Sequence, residues 1–166
     1  MRLPTVLSSD ELTIYLNDHL AGATFGLELA RRVLASNRTN EFGSVLAELA
    51  TEIEEDRHAL ERIFDRLTLP RDQAKMTAAW FAEKAGRVKL NGRVVGYSPL
   101  SRLLELEALS SGVHAKLNLW RALAMIAPSD SRLDKEELAG LAARAESQLE
   151  GLGGIQARAA EVALSP

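Results

Sequence analysis

The chain has 166 residues, 46% of them apolar and 26% charged, with a formal charge of -3 and no cysteine. That length fits one globular domain, 1–166, able to bury a core of its own, and the missing cysteines exclude disulfides, thiolate metal sites and cysteine nucleophiles. Charges of both signs are interspersed, so there is no electrostatic footprint for nucleic acid.

No run approaches the roughly 18 uninterrupted apolar residues of a membrane span, and MRLPTVLSSD does not read as a secretory signal. The expectation is a soluble, cytoplasmic protein with neither nucleic acid nor membrane as partner. Aromatics at 5%, with abundant Ala and Leu, favour helix over sheet.

Ser8 with Glu11 makes a capping box that opens a first helix with the seam Leu12, Leu16, Leu20, Ala23, Leu27, Ala30 and Leu34, ending near Ala35 at the polar cluster SNRTN. Gly22, Gly26 and Ala30 form a small-residue strip on it, which reads as a place of close helix packing. A brief loop delivers a second helix over Glu41–Leu67, with Phe42, Leu46, Leu49, Ile53, Leu60, Ile63 and Leu67 on one face. So short a connection makes the two antiparallel neighbours.

Pro70 ends that pair and starts a shorter helix over Arg71–Leu90 with Met76, Trp80 and Phe81 as bulk. The loop Asn91–Pro99 follows, closing on Ser98 as N-cap and Pro99 at the first helical position. Leu100–Ile126 is apolar over most of its circumference, as a helix touched on several sides should be, and its one polar stripe is Glu107, Ser111, His114, Asn118 and Arg121. Pro128 breaks it. Asp130 or Ser131 caps a last helix, whose middle is weakened by Gly151, Gly153 and Gly154.

Four long helices and a shorter one, in the order long, long, short, long, long, predict an all-α bundle, either one in which the short helix returns the chain along the bundle or a simple sequential bundle of five helices. In that order, and in Glu55-x-x-His58 on the second helix, the chain resembles the ferritin-like superfamily: a four-helix bundle with an additional shorter crossover helix. That family's members hold two metal ions between carboxylates and two E-x-x-H motifs. The resemblance implies iron or manganese in the bundle core and a metal-dependent oxidoreductase or iron-handling protein. The chain departs from the pattern in two respects. Glu55 and His58 lie off the apolar stripe of their helix, and the counterpart on the last helix reads Glu146-Ser147-Gln148-Leu149, without a histidine.

The polar residues whose phase does point inward form another set: His19 on the first helix, Glu52 and Asp56 on the second, and Gln148 on the last. They are expected in one central layer, His19 beside Asp56, with Lys116, Arg102 and Arg144 as cationic partners. Such a layer is either a satisfied polar network that fixes helix register or a mononuclear site of one histidine and two carboxylates for iron, manganese or zinc. The first reading makes the protein a binding or structural module without a complete dinuclear site, expected as a homodimer with a small-molecule or protein partner. The second makes it a metal-dependent oxidoreductase of ferritin-like ancestry.

Overall fold

The computed structural model describes residues 9–78 and 97–165. Four long helices carry the architecture: α1, Ser9–Asn37; α2, Gly43–Leu67; α3, Pro99–Ile126; and α4, Lys135–Leu164. Residues 73–78 are also helical, and Ala127–Ser129 forms a single 3-10 turn. The fold is an all-α bundle, and none of these helices is long and apolar enough to cross a membrane. Ser8, most of the Arg71–Leu90 helix, with Trp80 and Phe81, and the loop from Asn91 to Gly96 lie outside the described residues.

The helices form where their apolar periodicity demands, and their ends are set by local chemistry. Asn37 closes α1. Its amide donates to the Val33 carbonyl and to the Tyr97 hydroxyl, and its oxygen accepts from Arg102 Nε at 2.6 Å. In the turn that follows, the Asn40 side chain accepts from the Phe42 backbone N–H. Gly43 is required there, because a Cβ at that position would stand 2.6 Å from the Arg38 carbonyl oxygen. At the far end of α2, Thr68 takes a left-handed conformation (φ 56°) and its N–H caps the Phe64 and Asp65 carbonyls.

Ser98 caps α3 as expected, accepting from Ser101 N with Pro99 behind it. The cap of α4 is different from the sequence expectation. Asp134, not Asp130 or Ser131, accepts from Glu136 N and Glu137 N. Asp134-x-x-Glu137 has the spelling of a capping box, and Leu133 before it and Leu138 after it are both buried, at the two positions of a hydrophobic staple. Asp130 instead folds back on Arg132. Helix α4 then runs unbroken through Gly151, Gly153 and Gly154.

Contacts at the helix ends give the directions. Asn17, near the start of α1, bonds the Pro70 carbonyl and the Asp72 N–H just beyond α2. Asn37 and Arg32, near the end of α1, meet Arg102 and Glu105 at the start of α3. Twenty residues of helix, about 30 Å at 1.5 Å per residue, separate Asn17 from Asn37. The chain therefore leaves α2 at one end of the bundle and begins α3 at the other, so α2 and α3 run parallel.

Arg66 pairs with Glu137 and Arg158 with Glu41, which makes α4 antiparallel to α2. The broad interfaces are α3 with α4 and α1 with α2, then α1 with α3, while α2 and α4 touch sparingly. Around the ring the order is α2, α1, α3, α4. The core is one leucine-rich cluster with Trp120 and Phe64 as its largest side chains.

Candidate functional site

Midway along the bundle, α2, α3 and α4 point polar side chains into this core. Asp56 occupies a seam position of α2 and is only 1% exposed. An isolated carboxylate there would cost several kcal/mol of lost solvation, and both its oxygens are engaged. Lys116 Nζ of α3 takes Oδ2, and Arg144 of α4 takes Oδ1.

Gln148, also buried, knits the layer together. Its carbonyl accepts from Lys116 at 2.5 Å, and its amide donates to Glu52 at 2.9 Å and to Asp56 at 3.2 Å. Arg144 reaches outward with its other terminal nitrogen to Glu55 at 2.8 Å. Burial pushes the Lys116 ammonium below its ordinary range, while Asp56 beside it works in the opposite direction. Two cations, Lys116 and Arg144, thus stand against two inward carboxylates, Glu52 and Asp56.

The structure brings together Glu52, Asp56 and Gln148 of the expected layer, and Lys116 and Arg144 as its cations. It does not pair His19 with Asp56. The His19 ring packs edge-on against Tyr15, with centroids 4.6 Å apart, and burial lowers its pKa while Asp18 resists. Asp56 instead has cations on both sides, and these satisfy a buried carboxylate more strongly than a neutral imidazole. Arg102 is also elsewhere, stacked 4.8 Å from the Phe42 ring centroid at the end of the bundle. Glu55 and His58 are exposed, as the phase of α2 requires.

These residues do not fit a resident metal. No group of three or more His, Asp or Glu side chains that could hold an ion comes together among the described residues, and Lys116 and Arg144 already occupy both oxygens of the central carboxylate.

Beside the layer, between α1 and α3, lies a cavity of about 280 Å³. Gly22, Ala23 and Gly26 of α1 face Ala108, Gly112 and Ala115 of α3 across it, with Asp56, Lys116 and His19 also on its walls. The small-residue strip on α1 was expected to allow close packing. Ala30 is packed in the core, but Gly22 and Gly26 make no close approach within the chain among the described residues: a Cβ built on Gly22, Gly26 or Gly112 meets nothing within 4 Å. Neither helix carries side chains that would fill this space, and among the described residues it is open-sided, with Gly22, Ala108, Gly112 and Ala115 exposed.

Sequence reading missed the α3 side of this cavity. The signal was there, because Ala108, Gly112 and Lys116 recur at intervals of four, the spacing that shares one helical face, as Gly22 and Gly26 do on α1. Comparison with protein-family models, with curated proteins and with solved structures finds no match to this chain.

Proposed function

We propose that this protein is a ferritin-like bundle whose central layer is a closed ion-pair network in place of a metal centre, and that it acts as a binding module for a small molecule held between α1 and α3. The frame is supported by the ring order of the helices and by the parallel run of α2 and α3, which together make the one-crossover layout of that superfamily. The observation that carries the functional reading is the cavity of about 280 Å³ walled by glycines that no neighbouring atom requires. A helix-interior glycine costs about 1 kcal/mol against alanine, and at these positions alanine would fit.

The cavity's size agrees with a small ligand. It is roughly twice the 150 Å³ apolar cavity that accepts benzene and just below the usual 300–1,000 Å³ range of ligand pockets. Its walls are mostly apolar, with Asp18, His19, Asp56, Arg57 and Lys116 as the charged and polar groups among them, a mixture that ligand sites commonly show.

The test is binding of Prodan, a neutral naphthyl ketone whose emission reports the polarity around it. Saturable binding with a blue shift is expected for the native chain, and its loss is expected in Gly22→Leu/Gly112→Leu, which fills the space. Equal dye binding by both proteins would overturn the reading. Metal content of protein purified from iron- and manganese-supplemented cells separates this reading from the oxidoreductase one, since stoichiometric metal would refute the closed layer.

A further inference from the structure

The polar groups around the cavity have donors to spare. Lys116 carries three N–H donors, and two are taken, by Asp56 and Gln148. Trp120, also on the cavity wall, is 1% exposed and keeps its indole N–H buried without an acceptor among the described residues. The acceptors next to Lys116 are engaged: both Asp56 oxygens and the Gln148 carbonyl oxygen. A buried donor without a partner is costly, so a molecule whose polar group reaches this end of the cavity gains most by bringing an acceptor.

The charge balance decides which kind of acceptor. Lys116 and Arg144 are matched by Asp56 and Glu52, so the layer is already neutral. At the Lys116 end, where the Lys116 and Asp56 side chains are 14% and 1% exposed, a carboxylate ligand would leave a net negative charge beside Asp56, and an ammonium would leave a net positive one. Either burial is expensive. Of the other charged residues on the wall, Arg57 is paired with Glu61 and Asp18 with Lys75, and the rest, chiefly glycine, alanine and leucine, offers apolar contact.

We propose that the ligand is a neutral, mostly apolar molecule with a single oxygen acceptor, a carbonyl or a hydroxyl, which accepts from the third N–H of Lys116. This rests on the binding-module reading and adds the chemistry of what is bound. The apolar body lies along the strip between Gly22 and Gly112, and the oxygen lies at the Lys116 end of the cavity.

The test holds the ring constant and changes only the polar group: naphthalene, acetylnaphthalene and naphthoate are titrated into the native chain by calorimetry, each also competing against Prodan. A charge-assisted hydrogen bond predicts that acetylnaphthalene binds roughly tenfold more tightly than naphthalene. Naphthoate should bind more weakly than acetylnaphthalene by at least that factor, and the gap between acetylnaphthalene and naphthalene should close in Lys116→Met. Because that variant also removes a partner of Asp56 and could unfold, the three-ligand series on the native chain decides alone.

Equal affinity for all three rings, or preference for naphthoate, overturns this inference while leaving the cavity a binding site. Failure of every ring and of Prodan overturns the binding-module reading itself. A dimer that dissociates on Gly22→Leu would place a second copy's helix in the groove, and both would fall.

Discussion

The glycines on the cavity wall make a stability prediction opposite in sign to the usual core substitution. Gly22, Gly26 and Gly112 sit in helix interiors, and a Cβ on any of them lies more than 4 Å from every heavy atom it could meet among the described residues. Alanine in place of glycine gains about 0.8–1.0 kcal/mol of helix propensity per site, and with no clash to subtract, the triple variant Gly22→Ala/Gly26→Ala/Gly112→Ala should be more stable by about 2.5 kcal/mol. With a urea slope of about 2–3 kcal/mol per molar for a chain of this size, the unfolding midpoint should rise by roughly 1 M.

Gly43→Ala is the control of opposite sign. Its Cβ would stand 2.6 Å from a backbone oxygen, which cannot swing aside as a side-chain tip can. It should lower the midpoint. Urea unfolding followed by far-UV circular dichroism reads both variants. An unchanged or reduced midpoint in the triple variant would refute the reasoning, because it would mean that another backbone approaches these positions closely and that the space is not a cavity.

Three further outcomes follow from the same geometry. Asp56→Leu should cost about 3–5 kcal/mol, because it strands Lys116 and Arg144 in the interior, whereas the combination Asp56→Leu/Lys116→Met/Arg144→Leu should recover most of that loss in the same urea assay. His19 has a folded-state pKa below its unfolded value of about 6.5, so as pH falls below that value the unfolded chain takes up the proton first and stability drops. The native chain should therefore lose more of its urea midpoint between pH 7.5 and 5.5 than His19→Gln does, and an identical loss would show that His19 carries none of the dependence. Asp134→Ala should cost about 1 kcal/mol as the true cap of α4 and Ser131→Ala almost nothing; the reverse order in thermal melts would reinstate the earlier start.

How much was legible depended on whether the information was local. Helix identity and phase were: Glu55 and His58 turned out exposed and Asp56 buried because one helix's own leucines fix its faces. The Ser98-Pro99 cap was equally local. What sequence could not rank was partners across helices. His19 falls on the inward arc of α1 at the right height, yet height and phase do not say whether two side chains reach each other, and the longer Lys116 and Arg144 arrive at Asp56 first. The cavity escaped notice for a related reason. Small residues at helical spacing permit either close approach or empty space, and only the distance between α1 and α3 distinguishes the two. The α4 cap was misplaced because Asp130, Ser131 and Asp134 are all good capping residues; the burial of Leu133 settles it by fixing the chain's entry angle.

The pairs joining α2 to α4 have a consequence for the bundle's alignment. They run the length of both helices: Arg66 with Glu137, Arg144 with Glu55 and Asp56, Gln148 with Glu52, and Arg158 with Glu41. The exposed pairs among them contribute little stability one by one. They can still discriminate. Sliding α4 by one helical turn towards the start of α1 and the end of α2 would set Arg144 against Leu60 and Arg158 against Val45, and would bring Arg66 up against Leu141. Each arginine would then lose its carboxylate on the facing helix, Arg158 keeping only Glu161 of its own, and would stand against an aliphatic side chain. This sparse seam therefore works as a vernier, setting how the two hairpins align.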